Sequence, residues 1–174
     1  MNTIFTRTLD GLGYHFIAGD YLPPGRDEYY LRDTQLKRLL GRTPESYRRL
    51  SDSEIEALVQ NGNHSANWDD VFVSDTFYPA LVQNSFFAGR VRIGNMESGT
   101  LKYHDYVQRT GIHNSVLISC DVGDNAAINN CPYISHYIIG NGVILSNVLE
   151  LDTTNHSKFG EGIVKEGESE DVRV

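Results

Sequence analysis

The sequence has few cysteines, no long apolar run and fewer basic than acidic residues. Its two cysteines, Cys120 and Cys131, are too few for a disulfide framework and lack CxxC spacing. No run of apolar residues is long enough to span a bilayer, and the N-terminus lacks a basic segment followed by an apolar one. The formal net charge of −8 would repel nucleic-acid phosphates. We therefore expect a cytoplasmic protein without nucleic-acid or membrane partners.

A short motif recurs three times in the middle of the chain: an aliphatic residue, a glycine, and an asparagine or aspartate. The copies are Ile93-Gly94-Asn95, Val122-Gly123-Asp124 and Ile139-Gly140-Asn141. About ten residues before each glycine stands a polar pair, at Asn84-Ser85-Phe86, Asn114-Ser115-Val116 and Asn130-Cys131-Pro132. The last two copies lie roughly seventeen residues apart, which is too short for a helical hairpin repeat and is typical of one turn of a parallel β-solenoid.

Within this repeat, apolar residues recur about every six positions, which is the hexapeptide spacing of a parallel β-helix. The three runs in step are Leu81, Phe87 and Ile93; Val116, Val122, Ile128 and Ile134; and Ile139, Leu145 and Leu151. If each hexad is one short strand and its corner, these side chains point inward, and glycine or asparagine provides the unusual backbone angles of the turns. Equivalent strands of successive turns would then pair in parallel.

The alternative fold is an antiparallel β-sandwich, which also has short strands and frequent turns. A sandwich gives no reason, however, for the same residue types to recur in the same order. Through these motifs, residues 81–151 resemble the hexapeptide-repeat superfamily, whose members form left-handed parallel β-helices. The left hand is implied by the resemblance alone, because the general rule for parallel crossovers favours the opposite hand.

Three helices are predicted ahead of the repeats from apolar spacing, capping residues and stop signals. The first covers residues 27–40 and ends at Gly41; the second opens at Thr43-Pro44-Glu45 and runs to about Leu50; the third ends at Gly62. Ser51 and Glu54 form a capping box at the start of the third helix. Extended structure is predicted from residue 71 onwards.

These signals predict a mostly-β fold, a left-handed parallel β-helix with a helical N-terminal cap region. The length of 174 residues, the hydrophobic content of 40% and the mean hydropathy of −0.36 are typical of one globular domain or of a domain with an appendage. We divide the chain into an N-terminal helical cap region, residues 1–70, and a parallel β-helix domain, residues 71–174.

The front part also resembles an uncharacterised family of long bacterial hexapeptide-repeat proteins from Bacteroides-type organisms. The resemblance lies in the order of four motifs: Tyr47-Arg48-Arg49-Leu50, Glu54-Ile55-Glu56-Ala57-Leu58-Val59, Trp68 and Ile93-Gly94-Asn95. It implies no activity. No helix is predicted after Leu151 to cover the last turn, where a β-helix would expose unpaired strand edges. We therefore expect a fragment of a longer polypeptide, truncated at its C-terminal end.

An insertion is predicted at residues 97–111, because the first two polar pairs lie about a dozen residues further apart than one repeat requires. The segment contains Lys102, Tyr103, His104, Asp105, Tyr106 and Arg109. Insertions in solenoids project from one corner and commonly form the binding face. The alternative is a solvated loop whose aromatic rings pack on the coil beneath it.

The superfamily resemblance gives this loop a possible chemical role. In enzymes of the superfamily, such a loop often reaches a neighbouring subunit of a trimer, where a histidine acts as general base on a hydroxyl or an amine. The resemblance therefore implies that His104 is the catalytic base and that Asp105 orients its imidazole. Lys102, Tyr103 and Arg109 would then bind the substrate.

Three residues of the repeats are further candidates for substrate binding: His113 at a corner, and Ser119 and His136 at equivalent positions of successive repeats. Each of them is also explained as an ordinary surface residue. The histidines lack the close pair that zinc-binding carbonic anhydrases of this fold carry, so no metal site is predicted. No Walker motif, phosphate-binding glycine loop or serine-nucleophile elbow is present.

Basic residues of the helical region offer another possible ligand contact. Arg32, Lys37, Arg38, Arg42, Arg48 and Arg49 would suit the phosphate of a nucleotide or an acyl carrier. The favoured alternative is that most of them lie on solvated helix faces and pair locally with Glu45, Asp52 or Glu54.

Two functions follow from these patterns. The first is a transferase-like protein that transfers an acyl or nucleotidyl group to a sugar, a nucleotide-sugar or a small amine. Its cofactor would be acyl-CoA or a nucleotide sugar, and its sites would lie between the subunits of a trimer. The second is a non-catalytic scaffold or ligand-binding domain of a longer protein, with the helices of residues 27–62 capping the first coil. Both predict a small-molecule ligand and either self-association or missing downstream coils.

Overall fold

The computed structural model describes residues 12–17 and 22–155, which form a mostly-β structure. The two α-helices are α1 (Tyr29–Leu40) and α2 (Asp52–Gln60). The strands are β1 (Arg48–Arg49), β2 (His64–Ser65), β3 (Val71–Val73), β4 (Val82–Gln83), β5 (Phe86–Ala88), β6 (Val91–Ile93), β7 (Thr100–Tyr103), β8 (Tyr106–Arg109), β9 (Gly111–His113), β10 (Val116–Ile118), β11 (Asp121–Val122), β12 (Ala127–Asn129), β13 (Ile134–Ser135), β14 (Ile138–Ile139) and β15 (Ile144–Ser146). The predicted mostly-β class is confirmed.

Three parallel sheets carry most of the strands. Sheet I has the order β1-β3-β6-β11-β14, sheet II the order β2-β5-β10-β13 and sheet III the order β4-β9-β12-β15. Only β1 pairs antiparallel within them. From β2 onwards, the chain visits sheets II, I and III in rotation, interrupted by the antiparallel pair β7–β8. We call each set of three consecutive strands, one from each sheet, a rung; there are four in the described part of the chain.

Paired residues of successive rungs bring like side chains together in the interior. The columns are Val73, Ile93, Val122 and Ile139 in sheet I; Phe87, Leu117 and Ile134 in sheet II; and Val82, Ile112, Ile128 and Leu145 in sheet III. They belong to one apolar cluster, to which Leu58 of α2 is added. Burial of these aliphatic surfaces is the main stabilising contribution, at about 25 cal/mol per Å².

The six-residue count mislabelled two interior positions. Val82 rather than Leu81, and Leu117 rather than Val116, occupies the interior column. The reason is that the steps between columns vary: some, such as Ile112 to Leu117, span five positions, and others, such as Phe87 to Ile93, span six. A strict six-residue count therefore assigns the wrong residue to the interior after each corner that is one residue shorter.

Side chains at the corners bond to the backbone of the adjacent rung. Inside one corner, the Asn63 Oδ1 accepts from the Ser85 N–H, the Ser85 Oγ from the Ser115 N–H, and the Ser115 Oγ from the Cys131 N–H. Cys131 thus occupies the position of Ser115 one rung later, as the sequence predicted. Outside that corner, amide groups bond in a ladder that links Asn114, Asn130 and Asn147.

The recurrent aliphatic-glycine-polar motif forms another corner. The Asp124 carboxylate accepts from the Asn95 N–H at 2.8 Å, and the Asn141 Oδ1 accepts from the Asp124 N–H at 2.7 Å. The glycine is required because the rungs come very close there. A Cβ built on Gly123 would lie 2.6 Å from the Asn141 nitrogen and from the Gly140 carbonyl carbon.

Two of the three predicted helices are present, at residues 29–40 and 52–60. Gly41 ends α1 with φ +68°, and Ser51 and Glu54 form the predicted capping box of α2. The second predicted helix is instead a single 3-10 turn at Pro44–Ser46, followed by strand β1. The segment is extended rather than helical because Arg48 and Arg49 pair with β3 at the edge of sheet I.

The helices occupy different places on the three-sheet body. Leu58 of α2 enters the interior cluster, whereas Leu36 and Leu40 of α1 pack with Tyr47 against Phe72 and Ile138 on the outer face of sheet I. Only α2 therefore covers the interior, in contrast to the expectation that the whole helical region does. Neither helix has the length and the apolar character that crossing a membrane requires.

A buried ion cluster fixes α1 to sheet I. Arg32 of α1 donates to both Asp121 oxygens, at 2.8 and 2.7 Å, and Arg92 of the adjacent strand donates to the same carboxylate. Burial raises the pKa of the Asp121 carboxyl, but the two guanidinium groups outweigh this effect and hold the pKa below its ordinary value. The basic residues of the helical region are thus not all solvated: Arg42, just after α1, likewise pairs with Asp124. Local pairing was correctly predicted for Arg48 with Glu54.

Residues 1–11, 18–21 and 156–174 lie outside the described residues, as do the corresponding parts of the two predicted regions. The first strand to pair in parallel, His64–Ser65, precedes the proposed boundary at residue 70. That boundary stays a prediction.

Replacing Gly123 with alanine is expected to destabilise the fold by about 1–3 kcal/mol, because the new methyl group has to displace backbone atoms of the next rung. Gly99→Ala is the matched control, since a Cβ at Gly99 meets nothing within 4 Å. Urea denaturation of both variants measures the effect. Equal stabilities of the two variants would contradict the close approach of the rungs.

Asp121→Asn is expected to cost about 3–5 kcal/mol, because it leaves two buried guanidinium groups without their carboxylate. Asp69→Asn is the control, because Asp69 pairs with Arg49 on the surface, where both side chains are more than half exposed. That change should cost less than about 1 kcal/mol. The free energy of unfolding of each variant decides the comparison.

Candidate functional site

The insertion forms a β-hairpin of strands β7 and β8, with His104 and Asp105 in its turn. Thr110 closes the base of the hairpin: its N–H donates to the Gly99 carbonyl, and its hydroxyl accepts from the Gly99 N–H. His104 adopts φ +53°, the left-handed conformation that such a tight turn needs. The predicted insertion is therefore an ordered antiparallel hairpin rather than an irregular loop.

One face of the hairpin is turned towards sheet III. The Asn129 side-chain amide of β12 donates to the Gln108 Oε1 at 2.8 Å. Since side chains alternate along a strand, and Leu101 pairs with Gln108 and Tyr103 with Tyr106, these four side chains share that face. The side chains of Lys102 and Arg109 alternate to the opposite face of the hairpin. The Gln108 contact thus fixes which residues of the insertion meet the body of the protein.

A groove of about 690 Å³ runs between the hairpin and the last rung. The hairpin contributes Leu101, Lys102, Tyr103 and Tyr106, and the region of β15 contributes Gly142, Ile144, Ser146 and Asn147. Tyrosine rings and small polar groups thus converge on one concave surface, which is the usual composition of a site for an organic ligand, and Lys102 borders it.

The predicted catalytic pair lies beside this groove. His104 and Asp105 are both exposed, and the His104 ring makes an edge-on contact with the ring of Tyr103, with centroids 4.4 Å apart. Of the predicted substrate-binding residues in the insertion, Lys102 and Tyr103 line the groove. Arg109 does not line it.

His113 lies under the hairpin rather than in the groove. It is 2% exposed, it stands beside Asn129 in sheet III, and its Nδ1 is buried without a hydrogen-bond partner. Burial lowers the pKa of His113, and the charge of Arg109 acts in the same direction. The neutral imidazole therefore packs between the hairpin and the sheet, away from the other predicted binding residues.

Ser119 and His136 occupy the same corner of successive rungs, as the sequence predicted, but the chain covers them. The Ser119 hydroxyl donates to the Gly13 carbonyl, and the His136 ring stacks on Phe16 with centroids 3.8 Å apart. Residues 12–17, which we call the N-terminal strap, thus lie across this corner. Ser119 is fully buried by these contacts, so the two residues are not part of the groove.

Several groove residues were missed by sequence reasoning. Ile144, Ser146 and Asn147 carry no unusual local pattern, and Tyr106 was noted in the insertion without a role. Only Asn147 offered a signal, because it continues the asparagine series of the corners. Among the described residues, no group of three or more His, Cys, Asp or Glu side chains is arranged to hold a metal ion.

Comparison with known proteins assigns the chain to a family. Residues 47–171 match the family described as a domain of unknown function, DUF4954, so the chain belongs to this family. It is 55% identical over 166 residues to a protein of Treponema pallidum (strain Nichols) that is described as an uncharacterized protein. That alignment covers 95% of this chain and 22% of the relative, so the chain spans about a fifth of the relative's length. No solved structure matches the chain.

The strap contact is expected to weaken in acid. Burial lowers the pKa of His136 to about 4, the nearby Arg32 lowers it further, and Asp152 opposes them. The unfolded chain takes up this proton near pH 6.5, before the folded chain does. Stability is therefore retained above pH 6.5 and falls as the pH drops towards 4, by about 1–2 kcal/mol after solvent screening.

His136→Asn tests this expectation, since asparagine tolerates the left-handed backbone at φ +60° and does not titrate. The variant should lose part of the slope of unfolding free energy against pH between 6.5 and 4. The remainder belongs to other groups such as His113, whose pKa is also lowered. An unchanged slope would show that the strap does not shield His136.

Proposed function

We propose that this chain is a left-handed parallel β-helix of the hexapeptide-repeat type that serves as the ligand-binding module of a longer protein. The ligand we propose is a nucleotide sugar or a related sugar, held in the groove between the hairpin and sheet III. The observation that carries the proposal is the groove itself, in which two tyrosine rings face small polar groups of the last rung and which Lys102 borders.

The β-helix proposal is supported by strand pairing. Equivalent strands of successive rungs pair in parallel in all three sheets, and their inward residues form continuous apolar columns. The left hand comes from the resemblance of the repeats to the hexapeptide-repeat superfamily. Membership of a longer protein is supported by the relative, of which this chain covers 22%.

The ligand class is supported by the chemistry of the groove walls. Tyr103 and Tyr106 offer aromatic faces that suit a sugar or a base, and Lys102 offers a positive charge for a phosphate. Asn147 and Ser146 add groups that donate and accept hydrogen bonds, as sugar hydroxyls require. An acyl-CoA would use the same charge and rings through its nucleotide part, so it is the competing ligand.

Transferase activity is the second candidate. It is favoured by His104, which is exposed in the hairpin turn and contacts the groove-lining Tyr103. In this proposal His104 is a general base that acts with a neighbouring copy of the chain, in a trimer whose clefts include the hairpin. His104→Ala should then abolish the release of free thiol from acetyl-CoA in the presence of acceptor sugars. It should leave ligand-induced thermal stabilisation unchanged.

Tyr103→Ala and Tyr106→Ala are each expected to weaken binding of a uridine diphosphate sugar about tenfold, because an aromatic contact contributes about 0.5–1.5 kcal/mol beyond its buried area. Tyr78→Ala is the matched control, since Tyr78 is likewise an exposed tyrosine but does not line the groove. Isothermal titration calorimetry measures the dissociation constants.

Three outcomes separate the possibilities. Stabilisation by the uridine diphosphate sugar that the tyrosine variants lose supports the proposal. Stabilisation by acetyl-CoA alone would mean that the ligand is an acyl-CoA rather than a nucleotide sugar. A millimolar dissociation constant is roughly the weakest binding of interest. If neither compound raises the melting temperature at 10-fold excess over that constant, the groove binds neither a nucleotide sugar nor an acyl-CoA.

A further inference from the structure

A second cavity, of about 170 Å³, lies between α1, the N-terminal strap and the corner that carries His136. Its walls include Phe16, Glu28, Tyr29, Arg32 and His136. The cavity is separate from the groove, which lies at sheet III, and no residue lines both. It therefore calls for its own explanation.

Two charged side chains in this wall have unsatisfied atoms. Glu28 is 7% exposed; its Oε2 accepts from the N–H groups of Phe16 and Ile17, while its Oε1 is buried without a partner. Arg32 directs Nε and Nη2 to Asp121, while its Nη1 is buried without a partner. A buried polar atom without a hydrogen-bond partner is unfavourable, so atoms of this kind are normally satisfied by a bound molecule or by water.

The two unsatisfied atoms are complementary in charge and close in sequence. Glu28 has helical backbone angles, φ −62° and ψ −23°, so Glu28 and Arg32 are four positions apart on one face of the helix. One offers a hydrogen-bond acceptor with negative charge, and the other offers donors with positive charge. A ligand that satisfies both has to present a cationic donor and an anionic acceptor within a few ångströms of each other.

We propose that this cavity binds a small zwitterion, an α-amino acid of the size of glycine, alanine or serine. Its ammonium group donates to the Glu28 Oε1, and its carboxylate accepts from the Arg32 Nη1. The cavity volume of about 170 Å³ has room for a molecule of this size, with its five to seven non-hydrogen atoms. The stacked rings of Phe16 and His136 provide the wall beside these polar groups, with no further charge at neutral pH because the pKa of His136 is low.

Thermal unfolding of the whole chain against a set of small molecules tests the proposal. Glycine, alanine and serine should each raise the melting temperature by about 2–4 °C at fivefold excess over the dissociation constant. Acetate and methylammonium, which each carry one of the two charges, and glycerol, which carries neither, should not. A calorimetric titration with glycine gives the stoichiometry, expected to be one molecule for each chain.

Glu28→Gln should abolish the amino-acid effect, because it replaces the anionic acceptor with a neutral amide while keeping an oxygen for the strap. Glu45→Gln is the matched control on an exposed position. Leu31→Trp, which places a larger side chain in the cavity wall without altering either polar atom, should have the same effect as Glu28→Gln. This second variant keeps the test valid if Glu28→Gln fails to fold.

The remaining outcomes overturn the proposal. Equal stabilisation by acetate would identify a simple anion site, and stabilisation by glycerol alone a neutral hydroxyl site. No stabilisation by any of these compounds would mean that water fills the cavity. Since the uridine diphosphate sugar and the tyrosine variants concern a different surface, failure of either proposal leaves the other standing.

Discussion

The structure depends on the register between successive rungs, which is fixed at the corners as much as in the strands. The Ser115 Oγ accepts the Cys131 N–H of the next rung, and the Asp124 carboxylate accepts the Asn95 N–H of the preceding one. Because these bonds join fixed positions of successive rungs, a slip by one residue would break them and turn the apolar columns outwards. Strands of two or three residues, which would be unstable alone, are aligned in this way.

The third corner, where the chain passes from sheet II to sheet I, holds parts of the chain that lie outside the rungs. Gly13 of the strap crosses so close to Gly89 that a Cβ on Gly13 would lie 2.8 Å from the Gly89 Cα. The Tyr29 hydroxyl donates to the Gly13 carbonyl and accepts from the Arg90 N–H, which joins strap, helix and sheet. Together with the Asp121 cluster, these bonds position α1 and thereby form the second cavity.

The repeats could be predicted because they are local: a glycine, a turn residue and an inward aliphatic residue return within roughly seventeen positions. The contact of Arg32 with Asp121 joins residues 89 positions apart and has no sequence signal, so Arg32 was interpreted as a solvated helix residue. The insertion was found from spacing, but the face that it turns towards sheet III was not, because that face depends on the bond between Gln108 and Asn129. His113 was assigned to ligand binding for the same reason, although the hairpin covers it.

Charge constrains what the groove can bind. The chain carries a formal net charge of −8, and several arginines are already paired, among them Arg32 and Arg92 with the buried Asp121. Lys102 is exposed, and an exposed unit charge at about 4 Å contributes roughly 1 kcal/mol in water. At physiological salt, the net negative charge repels an anion only weakly at distances beyond about 8 Å. It contributes nothing favourable to the binding of a phosphate. Two tyrosine rings contribute as much or more, so in the nucleotide sugar proposed above the sugar or base would determine recognition and the phosphate would only assist it.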